Sequence, residues 1–136
     1  MFTENYRVVF EVFSKRHYIK EFEKKYKSQW LETRKVIVVQ LSHVDSSVSS
    51  GRTNPPIHRT PDNKSWIIKH EFAVAGRKES PKSSGNRLIA HVDHELKTVR
   101  VLFVFHKNHV MGNSETAFWR KVIKENYPEL ARLFSL

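Results

Sequence analysis

The sequence contains no cysteine, few glycines and no long apolar run, and each absence excludes a class of protein. Without cysteine, the chain cannot form disulfide scaffolds, thiol nucleophiles or cysteine-containing zinc sites. Its four glycines are too few for a phosphate-binding loop. No stretch approaches the roughly 20 apolar residues that a bilayer-spanning helix needs. Residues 1–7 lack the basic start and apolar core of a signal peptide, so we expect a cytoplasmic protein.

Acidic residues are also scarce relative to basic ones. The 136 residues include 24 Lys and Arg against 14 Asp and Glu, which gives a formal net charge of +10 and a pI of about 10.0. This excess has to lie on the surface, where it favours a polyanionic partner such as nucleic acid, an acidic protein or an anionic membrane. Hydrophobic residues make up 39%, which is enough for a core, and the length fits a single domain over residues 1–136.

Patterning in the first half of the chain predicts a strand, two helices and a long loop. The Val- and Phe-rich segment at residues 6–13 suits a strand. Apolar residues then recur at helical spacing over residues 15–26. A second helix is predicted at residues 29–44, although the β-branched run at residues 36–39 would also suit a strand. Residues 45–64, rich in Ser, Pro and Asn, predict an insertion loop that is either functional or packed down by its apolar residues.

The second half predicts an antiparallel sheet followed by helices. Strands are expected at residues 65–75, 86–93 and 99–106, with a tight turn between the last two and a polar, basic connection at residues 76–85. A helix capped by Asn113 or Ser114 and a short helix opened by Pro128 complete the chain. The sequence therefore predicts an α+β fold in which an N-terminal strand and two helices pack on an antiparallel sheet, with C-terminal helices after it.

Opposite charges set the expected register of the hairpin formed by the last two strands. Direct cross-strand pairing of Asp93 with Arg100 is favourable, and it places Arg87 opposite His106 on a mixed, open face of the sheet. Because side chains alternate along a strand, Phe103 and its apolar neighbours then lie on the other face, under helices. We therefore predict that Arg87 reaches His106 and that Phe103 is buried on the opposite side.

This register gathers basic side chains at one end of the sheet: Arg87, His106, Lys107 and His109, with Lys69 or His70 from the preceding strand. Such residues suit the ordinary rim of a solvated sheet. They also suit metal-free RNA cleavage, in which the 2′-hydroxyl is the nucleophile, Arg and Lys stabilise the phosphorane, and His transfers protons. The pairs His91/His94 and His106/His109 have a spacing that also invites a metal interpretation. On a strand, however, residues three apart point to opposite faces, so we predict no metal site.

The sequence around the predicted hairpin resembles a known family. The run Ser83-Ser84-Gly85-Asn86-Arg87-Leu88-Ile89 is followed, at residues 92–107, by an acidic turn, a Val-rich strand and a closing His106-Lys107 pair. This pattern is similar to the Gly-Tyr-Arg-Leu-Val strand, acidic turn, Val-rich strand and basic closing segment of the RelE/ParE superfamily of bacterial and archaeal toxins. The order of elements in the rest of the chain is similar as well.

The resemblance implies the toxin of a type II toxin-antitoxin system, a RelE-like mRNA interferase that inhibits translation by cleaving mRNA on the ribosome without a cofactor. It implies a phosphate-contacting catalytic role for Arg87 and assigns His106, Lys107 and His109 to the closing part of the site. Further RNA contacts are expected from basic side chains along the sheet and its connection: Lys69, Arg77, Lys78 and Lys82. The implied partners are an acidic cognate antitoxin, mRNA and the ribosome, and no membrane.

Several positions depart from the family pattern. Asn86 replaces the usual aromatic residue before Arg87, and only Lys69 fits the family's lysine pair on the preceding strand. The last helix has no tyrosine in the place of the family's aromatic acid/base, for which His109 is the nearest substitute. These departures leave an alternative open, namely a non-catalytic basic binder of the same fold, either a ParE-type gyrase-poisoning toxin or a nucleic-acid-binding protein.

Overall fold

The computed structural model describes residues 5–51, 54–110, 112 and 114–136. Its elements follow the order β1 (Arg7–Phe10), α1 (Val12–Ser14), a π turn (Lys15–Ile19), α2 (Lys20–Tyr26), α3 (Ser28–Ser42), α4 (Val44–Ser49), β2 (His58–Arg59), β3 (Ser65–Glu71), α5 (Pro81–Ser84), β4 (Asn86–Asp93), β5 (Thr98–His106), a 3-10 turn (Lys107–His109), α6 (Glu115–Asn126) and α7 (Pro128–Leu133). The predicted α+β class is confirmed. Within the described residues, no helix has both the length and the apolar character needed to cross a bilayer.

One five-stranded sheet, in the order β1-β5-β4-β3-β2, forms the centre of the fold. The hairpin of β4 and β5 is its middle, and β4 has the bounds that the sequence predicted. β3 and then β2 extend the sheet antiparallel on one side. On the other side β1 pairs with β5 in parallel, so the sheet is mixed rather than wholly antiparallel.

The N-terminal helices are more continuous than the sequence suggested. α1, the π turn and α2 follow one another from Val12, so Phe13, which we placed in the first strand, is helical. α3 confirms the predicted second helix, and the strand alternative for residues 36–39 is wrong. Helical spacing brings Trp30, Ile37 and Leu41 to the buried side of α3, and their packing outweighs the β preference of the run.

Residues 45–64 are more ordered than the insertion loop that we predicted. α4 extends to Ser49, because Val44 is fully buried and Val48 packs against the same cluster. Further on, β2 pairs with Trp66 and Ile67 of β3. Residues 52 and 53 of this segment lie outside the described part. Two parts of the segment, at α4 and at β2, are thus held against the fold, with Val48 and Ile57 packed on its core.

Helices cover both faces of the sheet, so the open face that we expected is wrong. α2, α3 and α4 pack on one face, against side chains of the two central strands: Leu88, Ala90, Val92, Val99, Val101 and Val104. α6 and α7 pack on the other face through Trp119, Ile123 and Leu130, against Ile67, Ile89, Leu102, Phe103 and Phe105. Arg87 therefore emerges beside a helix rather than on a bare sheet.

The predicted hairpin register is wrong from the turn onward, where Asp93 faces Thr98, and a β-bulge in β5 then changes the face of the side chains beyond it. Ala90 faces Val101, but the next residue of β4, Ile89, faces Phe103. Leu102 is the extra residue, and an extra residue changes the face of every side chain beyond it. Arg87 consequently faces Phe105, on the same side of the sheet as Phe103.

The charge pair on which we based that register does not form. Asp93 faces Thr98, and its Oδ1 accepts the backbone N–H groups of Glu95 and Leu96, each at 3.0 Å, which shapes the turn. Arg100 faces His91 and donates from Nε to Glu11 Oε1 at 2.6 Å instead. Turn formation and a partner from the N-terminal segment thus outweigh the cross-strand pair.

Candidate functional site

Arg87 and Lys69 converge on one carboxylate where the sheet meets the start of α6. Lys69 Nζ lies 2.9 Å from Glu115 Oε1, and Arg87 Nε lies 3.2 Å from Glu115 Oε2. The two cations come from neighbouring antiparallel strands, β3 and β4, and point to the face that carries α6. Glu115 is fixed because it is the first residue of α6, which Ser114 caps by accepting the N–H of Ala117 at 3.0 Å. The alternative cap, Asn113, lies outside the described residues.

The guanidinium of Arg87 keeps unused donors in this arrangement. Its side chain is 15% exposed, and its Nη1 has no hydrogen-bond partner among the described residues. A buried donor without a partner is unfavourable, whereas a bound anion would satisfy it. We call Arg87, Lys69 and Glu115 the cation pair with its carboxylate. This cluster combines two cations that can bind an anion with a carboxylate that can accept a proton.

His106 lies on the opposite face, which contradicts the predicted contact with Arg87. It pairs with Asn86, the residue before Arg87, and consecutive residues of a strand point to opposite sides. His106 Nδ1 accepts the N–H of Asn108 at 3.0 Å, so the proton of the neutral ring lies on Nε2, which donates to Ser84 O at 3.0 Å. Burial lowers the pKa of His106. Both nitrogens are thus engaged in holding the backbone, and the ring has no free position from which to carry protons.

Lys107 and His109 form the 3-10 turn that follows β5. The Lys107 N–H donates to Gly85 O at 2.8 Å, and His109 Nδ1 accepts the N–H of His106 at 3.1 Å. The turn brings the His106 and His109 rings to a centroid distance of 6.3 Å. Lys107 and His109 are both exposed, and His109 lines a cavity with Phe22 and His106 on the side of the sheet away from Glu115. Within the described residues, no three His, Asp or Glu side chains are grouped as metal ligands.

The other predicted RNA-binding residues, Arg77, Lys78 and Lys82, lie on the connection between β3 and β4. All three are exposed, and Lys82 belongs to the short helix α5. The Arg77 guanidinium lies 5.0 Å from the ring centroid of Tyr26, on the side of the fold that carries His106. The structure therefore divides the predicted site between two faces of the sheet.

Sequence reasoning missed two residues that the structure places at these positions. Glu115 could have been found from the sequence. The helix that Ser114 caps starts shortly after β5 ends, so its first residue has to lie near the same end of the sheet as Arg87. Asn86 had a weaker signal, as the residue in place of the family's aromatic. It is 5% exposed and lines a cavity together with His106 and His109.

Comparisons with known proteins add little to this geometry. No family model matches the chain, and no curated protein matches it. A solved structure similar to it is that of the E. coli toxin RelE, an arginine-to-alanine double mutant in the free state. The two share 20% sequence identity with a TM-score of 0.45, over 90% of this chain and 98% of that chain. A likeness of this size carries no argument about function.

Proposed function

We propose that this protein is the toxin of a toxin-antitoxin pair and acts as a metal-free endoribonuclease that cleaves mRNA on the ribosome. The observation that carries the proposal is the convergence of Arg87 and Lys69 on the carboxylate of Glu115. Fixed cations beside a carboxylate are the groups that RNA cleavage needs, and the reaction requires no cofactor. The net charge of +10 supports binding to a polyanion such as the ribosome with its message.

The reaction would use the ribose as its own nucleophile. Glu115 accepts the proton of the 2′-hydroxyl, whose oxygen attacks the adjacent phosphorus. Arg87 and Lys69 bind the nonbridging oxygens, where negative charge increases as the phosphorane forms. The bond to the 5′-oxygen of the next nucleotide breaks, and that oxygen takes a proton from the Lys69 ammonium. His106 and His109 lie on the other face of the sheet, and neither they nor Lys107 take part in this step.

The partner that we propose for the toxin is an acidic cognate antitoxin. Its carboxylates would compete with RNA for the same cations, because both are polyanions. Expression of the chain alone should slow growth, and coexpression of an acidic protein encoded beside it should restore growth. If no expression level inhibits growth or translation, the toxin proposal is wrong.

A second candidate function, a non-catalytic basic binder of the ParE type or a nucleic-acid-binding protein, is favoured by the same ion pairs. Glu115 already neutralises part of the charge of Arg87 and Lys69 in the free protein. In that case the cluster serves only to attach α6 to the sheet. Arg87→Ala would then lower stability while leaving nucleic-acid binding and growth inhibition in place.

The decisive experiment measures cleavage of a translated message on ribosomes. We expect Arg87→Ala to lower the rate on the order of 100-fold, because removal of one preorganised donor typically has that effect. Arg132→Ala, at an exposed position of α7, is the matched control and should cleave at the wild-type rate. Thermal unfolding of both variants checks that they are folded. If the wild-type protein binds the RNA without cleaving it, the non-catalytic binder is supported. If cleavage survives Arg87→Ala but stops with EDTA, the proposed chemistry is refuted.

A further inference from the structure

A cavity of about 260 Å³ lies between α2 and the ends of β4 and β5, on the face away from Glu115. Phe22 and Tyr26 of α2 form its apolar wall, and the polar side chains of Asn86, Asn108 and His109 line the other side. Ligand pockets for drug-sized molecules start at about 300 Å³, so this space suits a single flat ring system rather than a larger group. Aromatic and amide side chains facing each other across such a space are suited to a heteroaromatic ligand.

The side chain of Asn86 is the most deeply buried polar group that lines this cavity. The residue is 5% exposed, yet its carboxamide makes no hydrogen bond to any residue that the structure describes, since only its backbone groups are bonded. An amide inside the fold normally has partners. The Asn86 amide offers one acceptor and two donors to the cavity, and this combination matches the edge of a nucleobase, as in the pairing of asparagine with adenine.

Two cations lie close to the Tyr26 ring, which lines the cavity. Lys25 Nζ lies 5.2 Å from the centroid of the Tyr26 ring, and the Arg77 guanidinium lies 5.0 Å from the same centroid. Cation–π contacts of this kind favour positions near Tyr26 for both side chains, and Lys25 itself lines the cavity. The carboxylate of Glu21 also lines the cavity and would repel a phosphate there, so a phosphate group would lie at the rim, against Lys25 and Arg77.

We propose that this cavity is a ribonucleotide-binding site, in which a nucleobase contacts Phe22 and hydrogen-bonds to Asn86 while its phosphate binds Lys25 and Arg77. The site is separate from the cation pair with its carboxylate, because Asn86 and Arg87 are consecutive on β4 and point to opposite faces of the sheet. Binding of a free nucleotide needs no cleavage, so the inference does not depend on the proposed function. In a longer RNA, a base held here would position the chain at the end of the sheet.

The test is calorimetric titration of the full chain with adenosine monophosphate, with ribose 5-phosphate as the comparison ligand that lacks a base. Adenosine monophosphate should bind at least about 10-fold more tightly, because base contacts of this kind are typically worth that factor or more. Equal affinity for the two ligands would mean that the rim binds only phosphate, and it would overturn the proposal. Absence of saturable binding of adenosine monophosphate at millimolar concentration would do the same.

Variants locate the binding in the cavity. Asn86→Asp should weaken adenosine monophosphate binding about 10-fold or more, since it removes the donors and adds a charge that repels the phosphate. Lys25→Gln should weaken binding several-fold, and Lys121→Gln, on the exposed side of α6, should leave it unchanged. If Asn86→Asp fails to fold, the side-chain amide resonances of Asn86 in the wild type answer the question, because they should shift on titration. Unchanged resonances, or full binding by the folded Asn86→Asp variant, would refute the site.

Discussion

The hydroxyl of Tyr127 donates a hydrogen bond of 2.6 Å to the backbone carbonyl of Leu102, the extra residue of the β5 bulge. Tyr127 is 5% exposed and connects α6 to α7, so the two C-terminal helices and the bulge hold each other in place. Burial raises the pKa of the Tyr127 hydroxyl, which therefore remains a donor at any physiological pH. This bond supports the change of face that brings Phe103 and Arg87 to the same side of the sheet.

Removal of that hydroxyl should destabilise the protein. We expect Tyr127→Phe to lower the free energy of unfolding by about 1–3 kcal/mol, because it leaves the Leu102 carbonyl buried without its partner. Tyr26→Phe makes the same chemical change at a half-buried hydroxyl that bonds to no described residue, and it should change stability by less than about 0.5 kcal/mol. Urea unfolding of the two variants measures the difference, and equal effects would show that the bond to the bulge is unimportant.

Gly85 should tolerate no side chain. Its φ of +79° is a left-handed conformation, and a Cβ there would lie 2.7 Å from His106 Nε2, which donates to Ser84 O. Gly85→Ala should therefore destabilise the fold through backbone strain and through a clash with the ring, by about 2–4 kcal/mol in total.

Gly51→Ala is the matched control for that change. Gly51 has a φ of +78°, and no described residue lies within 4 Å of the added Cβ, so only the strain of about 1 kcal/mol should remain. Chemical unfolding of both variants separates the two contributions. A loss at Gly85 no larger than that at Gly51 would mean that the His106 ring moves aside freely.

His91 should make stability depend on pH. Burial, with a smaller contribution from Arg100, lowers its pKa from 6.5 to about 4. The unfolded chain binds the proton more readily, so the stabilisation from neutral His91 is complete above pH ~6.5 and is lost as the pH falls toward ~4. This loss is on the order of 3 kcal/mol. His91→Gln should show a shallower fall in the free energy of unfolding between pH ~7 and ~4.5 than the wild type, whereas His43→Gln, at an exposed position, should follow the wild type.

The basic connection between β3 and β4 should contribute to RNA affinity through charge. Replacement of Arg77, Lys78 and Lys82 by Gln should reduce the slope of log affinity against log salt by about 2 for single-stranded RNA, because each cation lost removes about 0.7. The control replaces three exposed cations of α6 and α7: Lys121, Lys124 and Arg132. Fluorescence anisotropy over roughly 50–200 mM salt gives the slopes. If both triple variants lower the slope equally, the connection is no special RNA contact.

Local patterning along the chain predicted the type and approximate place of most elements. The helical spacing of Trp30, Ile37 and Leu41 predicted α3, and apolar density bounded by turn residues predicted β4 at its observed limits. These features depend on residues close together in the chain, so local patterning carries them. The same local reasoning placed Arg87 at one end of the sheet with either Lys69 or His70 of the preceding strand, and the observed pairing of β3 with β4 brings Lys69 to the face of Arg87.

Which face of the sheet each side chain of the site occupies depends on long-range packing. One extra residue, Leu102, turns Phe103 toward α6. The backbone carbonyl of Leu102 is in turn held by the hydroxyl of Tyr127, 25 residues further along the chain. Glu115 reaches Lys69 and Arg87 only because α6 packs on that face. Local patterning contains no record of such long-range contacts, since a strand alternates in the same way whether or not a bulge interrupts it. The packed fold therefore separates the predicted cluster, with Arg87 on one face of the sheet and His106 on the other.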